Sequence, residues 1–499
     1  MATKIEEIAL RRGFFWQSSE MYGGLSGFYD YAHLGTAMKR KWEDIWRNFF
    51  LNLDDNFFEI ESSSVMPESV FAASGHLKSF VDPIVKCSRC GHMERADELL
   101  EQRLKENFEG KTPKEMDEII KKHNIKCPKC SGQFREIGVL NMMFPVTIGM
   151  DTKAYLRPET AQGAFVNFMR EFETLRKQLP LGLAIIGRAY RNEISPRNAL
   201  IRMREFTQAE LQIFFNPDRI NKHSDFSSVS SYRLRLFPAA NKKSNKIDEK
   251  TCEELSADLP EFYVYHMAMI QKFYTEMIRV PREVFRFREL ADEERAFYNK
   301  YHWDIELFIK SLGGFREVGG LHYRTDHDLS GHEKVSKKST KVFADGKKFT
   351  PHVLELSFGV DRNVLALLEM FYEEEKERTI FRFPRNACPY DCAVFPLVNK
   401  DGLEEKAREV KALLQKNFSV FFDKSGSIGR RYRRMDEIGV PACVTIDHGT
   451  LEEETVTLRD RDSMKQVRVR VKDLKETLEK FINGSDIEKL GKPVAIKED

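Results

Sequence analysis

The segment GRAYRNEISPRNALIRMREF, residues 187–206, places five arginines and two glutamates around one short turn, in a chain whose formal net charge is +2. We call it the arginine segment. Two strand-like stretches, 187–193 and 201–215, flank the turn-rich ISPRNAL, so the pattern predicts a β-hairpin. Side chains alternate between the two faces of a strand, which puts Arg191 and Glu193 on one face of the first strand. One face of the second strand would carry Arg202, Arg204, Phe206, Gln208 and Glu210.

These side chains suit a nucleotide. Guanidinium groups hold phosphates through charge-assisted, often bidentate, hydrogen bonds, an aromatic ring stacks on a purine, and a carboxylate accepts from the exocyclic amine. The alternative is a solvated sheet face with cross-strand ion pairs, which usually stabilise a protein little. Phe206, in the middle of the face, favours the nucleotide platform.

Two other segments fit this interpretation. In LELSFGVDRNVLALL, strand alternation places Glu355, Ser357 and Gly359 on one face, and a helix then begins near Arg362, which could reach a second phosphate. In YLRPETAQGAF, residues 155–165, a glutamate and a glutamine lie beside an arginine and a proline. An ordinary helix start is the alternative interpretation of that second segment.

Four cysteines form two C-x-x-C pairs, Cys87 with Cys90 and Cys127 with Cys130. The pairing predicts a tetrahedral Zn²⁺ site, and four thiolates leave no open position, so the predicted role is structural. The charged stretches ERADELLEQRLKENFEG, 94–110, and EMDEIIKKH, 115–123, are predicted to be helices that loop out from this metal-clamped base. The other four cysteines are predicted to be core or surface thiols.

The remaining elements are predicted as follows. Residues 33–67 give a helix, a strand and then Pro67. The segment 216–312 is polar and then helical, and 221–246 is its best candidate for a mobile surface stretch. RFPRNACP, 382–389, contains two prolines and marks a linker, after which strands alternate with helices, as in a mixed α/β domain.

Length and composition set outer limits. A chain of 499 residues suggests about three domains. Its apolar runs fall short of the roughly 20 residues of a membrane span. The first residues resemble neither a secretory signal nor a transit peptide, so we expect a cytoplasmic location and no membrane partner. With nearly balanced charge, a nucleic acid would have to be bound by local basic patches.

The motifs resemble those of one family. YRNE followed by Arg202-x-x-x-Phe206 resembles motif 2 of the class II aminoacyl-tRNA synthetases, FGVDR, 358–362, resembles motif 3, and the helix, strand and Pro67 resemble motif 1, the dimer element. Seven stretches in order resemble the homodimeric type of glycyl-tRNA synthetase: YGGLSGFYDY, ASGH, YLRPETAQG, RNEISPR, REFTQAE, RTDHDL and SIGRRYRRMDEIGVP. The likeness runs from about residue 12 to about residue 475.

The resemblance implies an α/β (α+β) fold with an antiparallel catalytic sheet flanked by helices. The implied class II catalytic core is 1–86 and 131–382, with a helical and polar insertion at about 216–312. A zinc-binding insertion, 87–130, and a C-terminal mixed α/β anticodon-binding domain, 383–499, complete the expected organisation.

The resemblance also implies an ATP site. Arg191 would contact the α-phosphate and stabilise the charge that develops as pyrophosphate leaves, and Arg362 would hold the γ-phosphate; these two are the predicted catalytic residues. Glu317 would bind nucleotide or Mg²⁺, and Arg324 is a candidate for the adenylate pocket. The implied ATP-binding residues are Arg191, Asn192, Glu193, Arg202, Phe206, Glu317, Val318, Gly359 and Arg362.

The implied glycine site surrounds the substrate ammonium with carboxylates. Its residues are Arg95, Glu159, Phe206, Gln208, Glu210, Glu355 and Ser357. Because glycine has no side chain, discrimination must be steric, with the pocket filled where a Cβ would go. The partners implied are ATP with Mg²⁺, glycine, tRNA(Gly) and a second copy of the chain.

Near the C-terminus, Arg430, Arg431, Arg433 and Arg434 crowd one predicted helix, which in an anticodon-binding domain would contact RNA phosphate; the alternative is a solvated charge run. Two alternatives to the overall function also stay open. One is a catalytically silent relative that binds nucleic acid, although the arginines of motifs 2 and 3 are all present. The other is a synthetase of the same class for alanine or serine.

Overall fold

The computed structural model describes residues 3–494 apart from 105–107, 109–110, 293 and 296–298. Some predictions therefore fall partly outside the described residues. These are the end of the charged stretch 94–110, a short part of the segment 216–312, and the extreme termini of the first and last predicted domains.

The centre of the molecule is a nine-stranded sheet. In spatial order its strands are Asp248–Thr251, Arg233–Phe237, Phe285–Glu289, Tyr301–Ile309, Gly314–Thr325, His352–Gly359, Glu205–Phe215, Leu181–Tyr190 and Phe57–Glu59. Neighbouring strands are antiparallel except for two parallel pairs, the second with the third and the eighth with the ninth. The predicted antiparallel sheet is confirmed.

Side-chain alternation along the strand Glu205–Phe215 decides which layer each residue meets. The odd-numbered residues from Ala209 to Phe215 join the main core, which the helices His33–Phe50 and Val360–Phe371 complete, with Phe50 packed 4.9 Å from Phe358 between ring centroids. On the other face, Phe214 stacks at 4.2 Å on Phe168 of the helix Ala161–Thr174. Three even-numbered residues nearer the start of the strand, Phe206, Gln208 and Glu210, line a cavity on that face.

The helix predicted to follow the strand at 352–359 begins at Val360, as the sequence indicated. The other helices outside the C-terminal domain and the cysteine insertion are Lys4–Arg12, Glu68–Ala73, His76–Ser79, Cys252–Leu255, Glu261–Lys272 and His327–Ser336. Short strands Val65–Pro67, Phe144–Ile148 and Thr152–Leu156 form a separate three-stranded sheet, and Phe15–Gln17 pairs with Tyr29–Tyr31. Two small hairpins join Val342–Ala344 to Lys347–Phe349 and Tyr372–Glu374 to Thr379–Phe381.

The segment 216–312 differs from its prediction. It supplies four strands of the central sheet and the helix Glu261–Lys272, and within the stretch 221–246 Val229, Leu234 and Leu236 are buried in the main core. The prediction of a mobile surface stretch is therefore wrong. Its polar residues occupy the turns, while the few apolar ones are spaced to anchor a strand.

The cysteines belong to a small module, residues 81–141, which we call the cysteine module. A sheet of Met93–Arg95, Val81–Lys86 and Gly138–Asn141 and the helices Ala96–Leu104 and Pro113–Lys122 enclose their own apolar core. That core contains Val85, Ala96, Leu99, Leu100, Phe108, Met116, Ile120 and Ile125. Both helices lie where the charged stretches predicted them.

The C-terminal domain matches the predicted alternation closely. Its sheet runs Val420–Phe422, Cys392–Pro396, Ala442–Ile446, Thr455–Asp460, Gln466–Arg470 and Lys492–Pro493. Its helices are Leu403–Leu414, Ile428–Ile438, His448–Glu453 and Leu474–Ile482. The residues predicted to be a linker are instead packed, because Phe383, Ala387 and Cys388 are buried in the main core. Among the described residues, no helix is both long and apolar enough to cross a membrane.

Candidate active site

A cavity of about 330 Å³ opens on one face of the central sheet. It is the face toward which Phe206, Gln208 and Glu210 of the strand Glu205–Phe215 point. The strands Glu205–Phe215, Gly314–Thr325 and His352–Gly359 form its floor, and the arginine segment borders it. Its walls include most of the residues predicted from the sequence: Glu159, Arg191, Glu193, Arg202, Phe206, Gln208, Glu210, Glu317, Arg324, Glu355, Ser357, Gly359 and Arg362.

The hairpin is shorter than predicted. Its strands are Leu181–Tyr190 and Glu205–Phe215, so residues 191–204 form the connecting loop. The alternation argument is therefore right for Phe206, Gln208 and Glu210, which line the cavity. It is wrong for Arg204, which donates from Nε to the Glu193 carbonyl at 2.8 Å and from Nη1 to the Ser26 carbonyl at 2.8 Å.

Arg191 and Arg362 enter the cavity from different elements. Arg191 donates from Nε to the Pro158 carbonyl at 3.1 Å, and its guanidinium lies 5.2 Å from the Phe206 ring centroid. Arg362, in the first turn of its helix, donates from Nε to the Ile201 carbonyl at 3.0 Å, and its Nη1 lies 2.8 Å from Glu317 Oε1. Although burial opposes it, the Arg362 charge holds the pKa of Glu317 below its usual value.

One buried carboxylate, that of Asp361, links the helix that carries Arg362 to the strand that begins at the end of the arginine segment. Asp361, 1% exposed, accepts from the backbone N–H of Thr207 at 2.5 Å and from the Tyr31 hydroxyl at 2.7 Å. The start of the helix Val360–Phe371 is thereby fixed to the strand that carries Phe206. This contact therefore helps to set the distance between Arg362 and the arginine segment.

Three carboxylates form the inner end of the cavity: Glu210 and Glu355, which are buried, and Glu159, which is half-buried. Glu210 accepts from Thr160 Oγ1 at 2.6 Å, Ser357 Oγ at 2.7 Å and Gln208 Nε2 at 2.8 Å. Glu355 Oε2 lies 3.0 Å from Arg324 Nη1. Such a short, heavily hydrogen-bonded wall has little freedom to move.

The protonation of this group follows from burial and from one shared cation. Arg324 also contacts Asp328 at 2.8 Å and Glu159 at 3.5 Å, so its charge is divided. Burial raises the pKa of Glu355 to about 8 and also raises the pKa of Glu210. Although burial opposes it, Arg324 and His76 hold the pKa of Glu159 well below its usual value.

Three predicted residues do not line the cavity. Arg95 lies in the cysteine module, where its Nη1 is 3.0 Å from Asp82 Oδ1. The Asn192 backbone N–H donates to the Met142 carbonyl at 2.8 Å, and Val318 is fully buried, its carbonyl accepting from Asn363 Nδ2 at 3.2 Å. Their assigned roles stay predictions.

Sequence reasoning missed a polar wall of the same cavity. Arg288, Glu294, His302, Asp304 and His322 line it, and the imidazoles of His302 and His322 lie 4.0 Å apart between ring centroids. The signal was present in YHWDIELFI, 301–309, where aromatic and aliphatic residues alternate with His302, Asp304 and Glu306. Treating 216–312 as an insertion hid that strand.

The four paired cysteines come together at one point of the cysteine module. Their sulfur atoms all lie within 4.8 Å of one another, with 3.5 Å between Cys87 and Cys130 and 3.7 Å between Cys90 and Cys127. A tetrahedral ion with metal–sulfur bonds of about 2.3 Å requires sulfur–sulfur distances of about 3.8 Å. Gly132 packs against the cluster, since a Cβ there would lie 3.1 Å from Cys87 Sγ. The donor set and spacing fit Zn²⁺.

The basic helix Ile428–Ile438 divides into two kinds of arginine. Arg431 is 2% exposed and donates from Nη2 to the Leu397 carbonyl at 3.0 Å, so it cannot contact RNA as predicted. Arg430 and Arg433, with Arg434, border an open surface depression together with Ser425, Gly426 and Gly429. Helical periodicity turns Arg431 inward while its neighbours face outward.

Two family profiles match the chain. One, described as the tRNA synthetase class II core domain (G, H, P, S and T), covers residues 144–371, and the other, the anticodon binding domain, covers 391–481. Glycine–tRNA ligases are similar over nearly the whole chain. That of Pyrococcus abyssi is 40% identical over 96% of this chain and 98% of its own length, and that of Aeropyrum pernix is 38% identical over 98% of both.

Two solved structures share the fold at low sequence identity. The RNA binding domain of threonyl-tRNA synthetase from Cryptosporidium parvum Iowa II aligns with a TM-score of 0.59 at 17% identity, covering 95% of this chain and 97% of the other. Prolyl-tRNA synthetase from Cryptosporidium parvum, complexed with L-proline and AMP, aligns with a TM-score of 0.56 at 12% identity, covering 97% and 76%.

Proposed function

The chain belongs to the glycine–tRNA ligase family of the class II tRNA synthetases, and we propose that it activates glycine with ATP and transfers it to the 3′ end of tRNA(Gly). The observation that carries this proposal is one cavity in which Arg191, Arg202 and Arg362 lie at one end and three carboxylates, two of them buried, lie at the other. One end of the cavity suits a nucleoside triphosphate, and the other end suits the ammonium group of a small amino acid.

In the first step, a carboxylate oxygen of glycine attacks the α-phosphorus of ATP, and the bond to the pyrophosphate oxygen breaks. Arg191 contacts the α-phosphate, and Arg362 holds the γ-phosphate on the far side. Glu193 accepts from the adenine amine, and Phe206 stacks on the ring. Catalysis of this kind consists of positioning and electrostatic stabilisation, since no covalent enzyme intermediate is needed.

We assign Mg²⁺ to Glu317, whose carboxylate oxygens are the hard ligands this ion prefers. The ion would neutralise phosphate charge. Glu317 already lies 2.8 Å from Arg362, so in our proposal one carboxylate orients the arginine and, with ATP present, the ion.

Glycine is held by its ammonium group. Glu159, Glu210 and Glu355 surround that end of the cavity, with Gln208 and Ser357 between them. The three hydrogen bonds that Glu210 accepts keep the wall from yielding, and a rigid wall is what excludes a larger amino acid. In the second step, the terminal adenosine 3′-hydroxyl of tRNA attacks the carbonyl carbon, and AMP leaves.

Zinc and a second subunit belong to the same proposal. The four cysteines would hold Zn²⁺ in a closed structural site. For the homodimer, support comes from the hairpin formed by Phe144–Ile148 and Thr152–Leu156, which pairs with the strand that ends at Pro67 of motif 1. The tip of this hairpin exposes Ile148 by 53% and Met150 by 99%. Light scattering should give twice the chain mass of 58.2 kDa; the monomer mass would reject the dimer. The cytoplasmic location stays a prediction.

ATP–pyrophosphate exchange with each amino acid in turn tests the main proposal. We expect exchange with glycine alone. Exchange with serine or alanine but not glycine would reassign the substrate, and no exchange with any amino acid would support a catalytically silent relative.

A further inference from the structure

A buried ionic cluster joins the cysteine module to the arginine segment. Glu98, on the helix Ala96–Leu104, is only 7% exposed although it carries a charge. Its Oε1 accepts a hydrogen bond from Nη1 of Arg202, and its Oε2 lies 2.7 Å from Nη1 of Arg197. One carboxylate of the cysteine module therefore contacts two arginines of the loop 191–204.

Arg202 is held from two sides. Its Nε donates to Glu193 Oε2 at 2.8 Å, within the arginine segment itself, while Glu98 approaches from the other module. Asp82, 4% exposed, adds a third carboxylate whose Oδ2 lies 4.0 Å from Arg202 Nη2 and has no hydrogen-bond partner among the described residues. Burial raises the pKa of Asp82 to about 6.

Glu98 itself is rigidly placed. Its backbone N–H donates to Asp97 Oδ1 at 2.9 Å, and that carboxylate also accepts from Arg95 Nε at 3.0 Å. The next two residues of the helix, Leu99 and Leu100, are buried in the core of the cysteine module. By contrast, continuous strand pairing of the arginine segment ends at Tyr190 and Glu205, and the loop between them is held by single backbone contacts such as that from Arg197 N–H to the Arg202 carbonyl at 3.2 Å.

We infer that Glu98 is a positioning residue for ATP binding, which holds Arg202 and the loop 191–204 in the geometry that receives the phosphates. The inference rests on the proposed function, because it needs ATP in this cavity. A guanidinium fixed before binding loses less conformational freedom when the phosphate arrives. The cysteine module thereby acts on the nucleotide site without touching nucleotide.

The test is Glu98→Gln, which keeps the side-chain shape and removes the charge. We expect the KM for ATP in glycine-dependent pyrophosphate exchange to rise about tenfold, with the KM for glycine and the kcat at saturating ATP changed less than about threefold. A tenfold change corresponds to about 1.4 kcal/mol of binding free energy. A purely structural role would lower thermal stability and would not single out the KM for ATP.

The matched control is Glu118→Gln, at an exposed position on the other helix of the same module. It should leave all three constants unchanged. If Glu98→Gln does not fold, Glu98→Asp keeps the charge but withdraws it by one methylene group, and it should raise the KM for ATP by a smaller factor.

The outcomes separate the inference from the function it rests on. Wild-type protein without glycine-dependent exchange rejects the proposed function. Active wild type with an unchanged KM for ATP in the variants, or equal rises for ATP and glycine, overturns the inference. A lower KM for ATP also overturns it, since Glu98 would then compete with phosphate for Arg202.

Discussion

Glu159 is the cavity carboxylate that is best prepared to receive a cation, because its pKa lies well below the usual value. Glu159→Gln keeps the acceptor oxygen that Gln162 Nε2 contacts at 2.9 Å but removes the charge. We expect the KM for glycine to rise about tenfold or more, a loss of about 1.4 kcal/mol or more, with the KM for ATP nearly unchanged.

The control for this prediction is Glu205→Gln. Glu205 lies on the strand that carries Phe206, but it faces away from the cavity and pairs with Arg188 at 3.6 Å. Its replacement should leave both KM values as they are. An unchanged KM for glycine in Glu159→Gln would remove Glu159 from the glycine site.

The raised pKa of Glu355, about 8, predicts a pH dependence of glycine binding. Glu355 holds a proton at neutral pH because burial disfavours its charge, yet pairing with the glycine ammonium requires the carboxylate. The KM for glycine should therefore fall as pH rises from 6 to 8, by up to about tenfold per unit for one proton. Calorimetry in buffers of different ionisation enthalpy should detect proton release on glycine binding.

The same shift fixes the sign for stability. The folded-state pKa lies above the unfolded value, so the contribution of Glu355 to stability is fully present below pH 4.5 and is lost as pH rises through about 8. Glu355→Gln should flatten the pH profile of the KM for glycine. A profile that stays steep in this variant would assign the proton to another group.

For single residues, the sequence predicted correctly which side chains line the cavity wherever a regular strand alternation applied. Phe206, Gln208 and Glu210 follow from strand parity, and they line the cavity. Arg204 and Arg431 do not follow, because a loop and one turn of helix point these two arginines into the protein. Residue type alone cannot distinguish an arginine that binds phosphate from one that binds a carbonyl.

Among the elements, the helix His33–Phe50 depends on a close approach at Gly35. A Cβ there would lie 1.9 Å from the Phe14 carbonyl oxygen, so the backbone would have to separate. We expect Gly35→Ala to lower the free energy of unfolding by about 1–3 kcal/mol or more, from the midpoint of urea denaturation.

Gly429→Ala provides the matched comparison. Gly429 also lies in a helix, Ile428–Ile438, but a Cβ there would meet no atom within 4 Å. Without a clash, alanine should stabilise the helix by up to about 1 kcal/mol. Equal changes in the free energy of unfolding for the two substitutions would contradict the close packing of the helix His33–Phe50 at Gly35.

The zinc site is predicted to stabilise the cysteine module and to have little effect on the rate of the reaction. The cysteine module has its own small core, so removal of the metal should loosen it first. A chelator should lower the melting temperature by several degrees and change the exchange rate at saturating ATP less than twofold. Cys90→Ser protein should show no further change with chelator. Abolished exchange with an unchanged melting temperature would contradict the structural role.

Helices and strands were predicted correctly where the hydrophobic residues of a segment kept a single helical or strand period along its whole length. The C-terminal domain shows the predicted alternation of strands and helices. The prediction for 216–312 failed because Arg233–Phe237 pairs in parallel with Phe285–Glu289, and the buried helix Glu261–Lys272 lies between these two strands in the chain. Pairing at that distance cannot be deduced from local pattern.

For the whole molecule, the most consequential feature is the junction between the catalytic core and the C-terminal domain. Arg378, in the hairpin that joins Tyr372–Glu374 to Thr379–Phe381, contacts Asp436 of the C-terminal domain at 3.0 Å, both buried, and Phe381 stacks on Phe383 at 4.8 Å. Local sequence predicted a linker here, because RFPRNACP contains two prolines. A buried ion pair between two units instead fixes their orientation, because separating it would leave uncompensated charges.

Such a fixed orientation allows a clean separation of RNA binding from amino-acid activation. Arg430 and Arg433 face the open depression on the C-terminal domain, so Arg430→Ala with Arg433→Ala should raise the KM for tRNA in aminoacylation and leave glycine-dependent pyrophosphate exchange unchanged. For each arginine that binds a phosphate, its replacement should reduce the slope of log affinity against log salt by about one. Lys475→Ala, at an exposed lysine of the last helix, should affect neither assay. If the double variant left both the KM for tRNA and its salt dependence as in wild type, this face of the helix would not contact RNA; if it reduced pyrophosphate exchange, the two domains would be coupled through more than their orientation.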